Sequence, residues 1–281
     1  MTSEVQRSES PSSPDAPGPA PSAVRTGLAG GTILALGVCA VLPVDPAAAA
    51  RTAIVAGAVL ALVGVAAALH APAVFRTAAF VGPLVGCFAV GILAGWPPAL
   101  TTVLVCVLPL ACLLLAGRWT GPGPAAPWLA RGRLTREAPW LGLATVLIGA
   151  VALVAWALAV RPEPADYLRD LRQLPLWLAI LGIVGFALVN PVWEEMLFRG
   201  VLQTELASVW GARVAVDLQA LLFGVAHFAG FPSGIIGMIM AAGWGYVLGI
   251  LRLRSGGILL PYLVHVTANA VIGTLAVLIL R

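Results

Sequence analysis

Charged side chains are scarce in this sequence, and lysine is missing altogether. Only 10% of the 281 residues are charged, whereas 60% are hydrophobic. A soluble globular chain of this length needs more polar surface, so the composition excludes that class and indicates an integral membrane protein. The arginines lie scattered between apolar runs without forming a basic stripe, which argues against a nucleic-acid partner. The lipid bilayer is therefore the first partner that the sequence predicts.

Cysteine and histidine are also rare. The four cysteines fall inside apolar runs and show no C-x-x-C spacing, so they predict neither a disulfide framework nor a thiolate metal site. We interpret them as small packing residues. Of the three histidines, His70 ends an apolar run and is assigned no role, whereas His227 and His265 lie in apolar runs near the carboxyl end.

Apolar runs long enough to cross about 30 Å of hydrocarbon recur along the chain. They predict an all-α, polytopic membrane helix bundle with eight to nine transmembrane helices. The runs cover approximately residues 27–44, 52–70, 77–95, 98–116, 139–160, 176–193, 213–229, 233–251 and 257–280. We divide the chain into a Ser- and Pro-rich disordered tail over residues 1–25, amino-terminal transmembrane helices over 26–160 and a carboxyl-terminal transmembrane core over 161–281.

Clustered arginines predict the orientation of the bundle. Two loops carry them, and their members are Arg118, Arg131, Arg133 and Arg136 in one and Arg252 and Arg254 in the other. Because basic loops stay on the inner side, both should face the cytoplasm. The lack of lysine together with abundant Ala, Gly, Val and Pro indicates a GC-rich genome, from which we predict a bacterial cytoplasmic membrane. A further loop, residues 161–175, mixes both charge signs with apolar residues at helical spacing and is predicted as an interfacial amphipathic turn.

Three charged residues interrupt the sixth apolar region, in the stretch NPVWEEMLFRGVL. Each costs roughly 2.5 to 3.5 kcal/mol at mid-bilayer, so function is the default explanation. Glu195 and Arg199 are four residues apart in the favourable order for a helical ion pair, which predicts a structural pair. Glu194 points ~100° away and is expected to have no partner within its helix. A lone buried carboxylate beside imidazoles is a candidate general base.

The two carboxyl-terminal histidines each share a helix face with a second motif residue. Phe223 precedes His227 by four positions, and Asn269 follows His265 by four. For Glu194 to reach their depth, its helix must run some 30 residues, to about Ala207. The alternative is a buried polar network that only fixes helix packing. That reading suits any one of these residues alone, but it explains poorly why all of them occur in one block.

These motifs resemble those of a known family. EEMLFR matches E-E-x-x-x-R, FGVAH matches F-x-x-x-H and HVTAN matches H-x-x-x-N, in the order found in the CAAX-prenyl-protease and bacteriocin-processing (CPBP) intramembrane proteases. The resemblance covers residues 176–275. It implies hydrolysis of peptide bonds in a membrane-associated protein or peptide. Glu194 would then be the base, His227 would help to hold the water or a metal, and His265 with Asn269 would complete the site or polarise the scissile carbonyl. Glu195 and Arg199 would brace the helix.

The cofactor is left open between none and Zn²⁺, because this family has been described both as zinc metalloproteases and as metal-free glutamate proteases. If zinc is used, the ligands would be His227, His265 and Glu194. No H-E-x-x-H is present and the three residues come from three helices, which favours the metal-free form.

Two other functions fit parts of the pattern. A proton-coupled transporter also places Glu, Arg and His at mid-membrane, but no inverted repeat is visible and the polar residues crowd into one half. A catalytically idle immunity or scaffold protein of the same fold is disfavoured because every motif position is filled.

Overall fold

The computed structural model describes residues 22–42, 49–120, 127–133, 136–160, 175–230 and 232–280. Those residues form nine helices and one short 3-10 turn, and they contain no strand. The elements are α1 (Ala23–Val41), α2 (Ala49–Leu69), α3 (Pro72–Leu93), α4 (Pro98–Trp119), the turn Pro127–Leu129, α5 (Ala138–Val160), α6 (Leu176–Trp210), α7 (Ala212–Ala226), α8 (Gly234–Ser255) and α9 (Leu259–Leu280). The predicted all-α fold is confirmed.

Within the described ranges, seven helices are long and apolar enough to cross a membrane, namely all except α7 and α9. Helix α9 provides a shorter apolar segment, Leu259–Leu275. Helix α7 has only 15 residues, or about 22 Å, and it ends at Ala226, so the predicted run 213–229 is not helical to its end. The chain is an integral, multi-pass membrane protein.

The amino-terminal boundary differs slightly from the prediction. Helix α1 begins at Ala23, and the Ser22 side chain caps it by accepting a hydrogen bond from the Arg25 backbone N–H at 3.3 Å. Residues 23–25 therefore belong to the helix, because a capping serine starts it before the apolar run begins. The rest of the predicted tail, residues 1–21, lies outside the described residues, as does the predicted amphipathic turn up to residue 174.

Helix α6 is the longest described element, with 35 residues, and its segment Met196–Leu202 packs against α1, α3, α7, α8 and the turn Pro127–Leu129. The predicted continuation of this helix past Arg199 to about Ala207 is confirmed, since α6 ends at Trp210. Its first half presents many exposed apolar side chains, as a lipid-facing helix does, whereas all seven residues of the segment Met196–Leu202 are buried. That segment is a π-helix, a rare geometry that occurs frequently at functional sites. It begins directly after the two glutamates.

Glycines let α7 and α8 approach closely. A Cβ on Gly224 would lie 2.8 Å from the Ala242 Cβ, and a Cβ on Gly249 would lie 2.6 Å from Gln219 Nε2. Gly245 packs in the same way against Phe223. Because no side chain stands between the helices, backbone carbonyls of α8 become accessible to polar side chains of the core.

The two arginine-bearing segments meet at one end of the bundle. The Arg133 backbone N–H donates to the Ser255 carbonyl at 2.7 Å, and the Ile258 N–H donates to the Ala130 carbonyl at 2.8 Å. Gly132 adopts a left-handed conformation, with φ +79°, where the chain turns against Gly257. Both segments therefore lie on the same side, as the orientation scheme requires.

Substituting Gly257→Ala should destabilise the protein by roughly 1 to 3 kcal/mol. The added Cβ would overlap the backbone of Arg131 and Gly132, which cannot move away without breaking the hydrogen bonds to the α8–α9 turn. The measurement is the thermal unfolding midpoint in detergent. Gly182→Ala is the control, because a Cβ there meets nothing within 4 Å. A Gly257→Ala protein that melts no lower than wild type would contradict the packing.

Candidate active site

Glu194 is held by a residue one turn earlier in α6. The Asn190 side-chain amide donates to Glu194 Oε1 at 2.8 Å, four residues apart on the same helix face. The prediction that Glu194 has no partner within its helix is wrong, because it considered only charged partners. The carboxylate is buried. Its Oε1 accepts from Asn190, and its Oε2 has no hydrogen-bond partner among the described residues.

Glu195 is shared by two partners. Its Oε1 accepts from Arg199 Nη1 at 2.9 Å, which confirms the predicted helical ion pair. The same oxygen lies 2.7 Å from His265 Nδ1. Because an ionised carboxylate only accepts, Nδ1 carries the hydrogen in this contact. Glu195 therefore does more than brace its helix, since it also orients an imidazole on α9.

His265 stands between the two glutamates. Its other nitrogen, Nε2, is 3.5 Å from Glu194 Oε2, an oxygen that has no hydrogen-bond partner among the described residues. The contact is long for a direct hydrogen bond, so we treat it as an approach of two polar groups. For Glu194 and His265, this distance agrees with the expectation that these two residues and His227 lie at one depth.

The Arg199 side chain is fully buried, at 0% exposed, and the surrounding helices explain how it is tolerated. Besides Glu195, its guanidinium donates through Nη2 to the Gly245 carbonyl at 3.3 Å, and it lies 4.5 Å from the centre of the Phe223 ring. The close approach of α8 makes that carbonyl available. The charged guanidinium of Arg199 therefore has a counter-ion, a backbone hydrogen bond and an aromatic ring in contact with it.

Two glutamines extend this polar layer. Gln203 Nε2 donates to the Gly249 carbonyl at 3.0 Å, and Gln219 Nε2 donates to the Gly245 carbonyl at 3.0 Å. Neither glutamine was predicted from the sequence, because neither carries a charge. Their spacing could have indicated them, because residues four apart share a helix face. Gln203 follows Arg199 by four residues, and Gln219 precedes Phe223 by four.

His227 lies at the carboxyl end of α7 and is half-buried. Its Nδ1 is 2.8 Å from the Phe223 carbonyl oxygen, so this nitrogen donates and Nε2 keeps its lone pair in the neutral ring. The imidazole packs on the Phe223 ring at 4.4 Å between centroids, and that ring also meets His265 edge-on at 6.0 Å. Among the contacts of the described residues, Phe223 is the side chain that joins the two histidines.

Asn269 lies one turn after His265, and both side chains are buried. Its Nδ2 finds no hydrogen-bond partner within the described part of the chain. Burying an amide donor without a hydrogen-bond partner costs free energy, which indicates that Nδ2 donates to a group that binds in the site. The structure thus places Glu194, Glu195, Arg199 and His265 in direct contact, with Asn269 one turn from His265 on its helix.

Zinc ligation by His227, His265 and Glu194 stays a prediction. The described ranges contain no group of three or more His, Cys, Asp or Glu side chains that could hold a metal ion. His265 directs Nδ1 to Glu195 and Nε2 toward Glu194, while His227 uses Nδ1 for a backbone carbonyl. In both imidazoles Nδ1 is the hydrogen-bonded nitrogen, which leaves Nε2 as the atom that would face a metal.

A second buried ion pair was not predicted from the sequence. Arg76 of α3 forms a bidentate pair with Glu205 of α6, with both N–O distances at 2.7 Å. Trp128 Nε1 donates to the same carboxylate at 2.9 Å, and Arg76 also reaches Thr120 at 3.4 Å. The cluster joins α3, the end of α4 and the turn Pro127–Leu129 to the helix that carries both glutamates.

The fold and the polar site around Glu194 define a class of protein. It is a multi-pass helical membrane protein with two glutamates, an arginine, a histidine and an asparagine buried in its core. A family model described as "Rce1-like: Type II CAAX prenyl endopeptidase Rce1-like" matches residues 175–271. The chain belongs to this family, and the resemblance stated from its motifs is confirmed.

Two bacterial proteins are similar to the chain over longer stretches. An uncharacterized 24.3 kDa protein of Escherichia coli is 30% identical over 167 residues, which cover 57% of this chain and 72% of that protein. The uncharacterized protein YpbD of Bacillus subtilis (strain 168) is 30% identical over 100 residues, which cover 36% of this chain and 45% of that protein. No solved structure matches the chain significantly.

Proposed function

We propose that the chain is an intramembrane endopeptidase that hydrolyses peptide bonds of membrane-associated substrates, with Glu194 as the general base. The observation that carries this proposal is the asymmetry of the Glu194 carboxylate. Asn190 fixes Oε1, whereas the buried Oε2 faces His265 without a hydrogen-bond partner in the described residues. An oriented carboxylate oxygen with open capacity can accept a proton from water.

Charge balance supports a proton shared by Glu194 and His265. Arg199 stays protonated, so with two ionised glutamates the cluster carries one uncompensated negative charge. One additional proton, on Glu194 or on His265 Nε2, makes the buried group neutral, which a low-dielectric site favours. With this proton on His265 Nε2, Glu194 is ionised and can take a second proton from the attacking water, while His265 can deliver its Nε2 proton to the leaving amine.

Glu195 acts through His265 in this scheme. Its acceptance of the Nδ1 hydrogen directs Nε2 toward Glu194, so it fixes the orientation in which the second nitrogen takes part in proton transfer. We assign Glu195 a positioning role and Arg199 the role of its counter-ion.

His227 and Asn269 supply the remaining groups. The neutral His227 ring, with its Nδ1–H on the Phe223 carbonyl, offers the Nε2 lone pair as an acceptor for water. Asn269 Nδ2, a buried donor without a partner in the described chain, can donate to the oxygen of a scissile carbonyl as negative charge develops there. The motif positions suggest these two roles, and the hydrogen bond of His227 and the unpartnered Nδ2 of Asn269 support them.

The experiment is a cleavage assay with the purified protein in lipid nanodiscs and a prenylated CAAX peptide that carries a fluorophore and a quencher. Cleavage is expected with wild type and should fall at least 100-fold in His227→Ala and in His265→Ala. If this peptide is not cut, membrane vesicles with and without the active protein are compared for the peptides they contain, and peptides that appear only with the active protein identify cleavage. Solute flux that depends on Glu194, with no cleavage of any membrane peptide, would instead establish a transporter.

Removing divalent metal should leave the cleavage rate within about twofold, because the proposed mechanism activates water with the Glu194 carboxylate and assigns no step to a metal. The measurement is the same assay after exhaustive dialysis against a chelator, with zinc content determined by elemental analysis. Loss of activity that added Zn²⁺ restores would contradict activation of water by Glu194 without a metal.

A further inference from the structure

Two segments that are far apart in sequence form one basic seam at an end of the bundle. We define the arginine seam as residues 130–133 together with residues 252–258. They are held side by side by the hydrogen bonds from Arg133 N–H to Ser255 O and from Ile258 N–H to Ala130 O. Gly132 and Gly257 lie so close that neither has room for a Cβ. The arrangement is fixed by the backbone, so it does not depend on side-chain rotamers.

The seam carries positive charge without acidic residues of its own. Arg131, Arg133 and Arg254 are exposed, and Arg252 is half-buried in the last turn of α8. Glu205 lies at the same side of the core but is committed to Arg76, with which it forms a bidentate pair. Its charge is therefore matched already, and the exposed arginines of the seam keep a positive field.

Apolar side chains flank these arginines. Leu129, Leu253 and Leu259 are 38%, 44% and 38% exposed, and each lies within a few residues of the seam. The seam also marks the end of α8, a helix long and apolar enough to cross the membrane. Exposed cations beside exposed leucines at a helix end match the level where a headgroup meets its acyl chains.

We propose that the arginine seam binds the phosphate of an anionic phospholipid headgroup. Guanidinium groups form bidentate hydrogen bonds with phosphate oxygens, and several arginines carried by two adjacent segments favour a phosphodiester over a zwitterionic headgroup with its own ammonium. The adjacent leucines contact the acyl chains, which selects a lipid over free phosphate. This binding site is separate from the buried glutamates and does not depend on proteolysis.

The test uses the purified full-length protein in a neutral detergent, titrated with dihexanoyl phosphatidylglycerol, dihexanoyl phosphatidylcholine and inorganic phosphate. Binding is followed by microscale thermophoresis. Wild type is expected to prefer phosphatidylglycerol at least tenfold over the other two probes. Each arginine near an anionic surface contributes about fivefold, so the triple variant Arg131→Gln, Arg133→Gln, Arg254→Gln should bind about 100-fold more weakly.

A charge-matched control separates a site from a general effect of net charge. Arg25→Gln, Arg118→Gln, Arg213→Gln removes the same number of exposed arginines outside the seam, and it should retain binding within about threefold. Equal weakening in both triple variants, equal binding of the two lipids, or equal binding of inorganic phosphate would each overturn the proposal. If the seam triple variant fails to fold, the single variants Arg133→Gln and Arg254→Gln are expected to lose about fivefold each.

Discussion

Replacing Glu194 by glutamine is expected to lower the cleavage rate by about 10²- to 10⁴-fold while the protein stays folded and inserted. Glutamine keeps the shape of the side chain, and its oxygen can still accept from the Asn190 amide that now holds Oε1. It cannot take a proton from water. The measurement is kcat on a labelled membrane peptide, together with the thermal unfolding midpoint of the same preparation.

Glu137→Gln provides the matched control for this experiment. Glu137 is exposed near the start of α5, so the identical chemical change there should leave kcat within about twofold. Cleavage by Glu194→Gln at a rate close to that of wild type would refute the assignment of the base. A large fall in both variants would point to a general effect of charge on the preparation.

Contacts along one helix could be predicted from the sequence, because an α-helix brings residues four apart onto one face. The pair Glu195–Arg199 follows this rule, and so does the stacking of Phe223 on His227. Asn190 also follows it and was overlooked only because a neutral amide is not a charge. The apolar run lengths likewise predicted the membrane bundle, since about 20 apolar residues are needed to span the hydrocarbon.

Contacts between helices could not be predicted in the same way. The hydrogen bond between His265 and Glu195 joins residues 70 positions apart, and the Arg76–Glu205 pair joins residues 129 positions apart. Helical periodicity gives the angle between Glu194 and Glu195 but not the absolute direction of either one, because packing against neighbouring helices sets that rotation. Hence the sequence could separate the two glutamates but could not show that both would meet the same imidazole.

The end of α7 shows another limit of periodicity. The apolar run continues to about residue 229, yet the helix stops at Ala226 and His227 adopts a non-helical conformation. Gly230 and Pro232 follow within a few residues, and such residues favour a turn. His227 therefore lies at the helix end, where its Nδ1 still bonds to the Phe223 carbonyl.

Glu195→Gln is expected to destabilise the protein by about 3 to 5 kcal/mol, because it leaves the fully buried Arg199 without a counter-ion. Arg199→Met should cost a similar amount, since it strands Glu195 and removes the stacking on Phe223. The double variant removes both charges while the introduced glutamine can still accept from His265, so most of the lost stability should return. Unfolding in mixed detergent micelles measures each free energy. Losses that simply add in the double variant would show that the two side chains do not act as a buried pair.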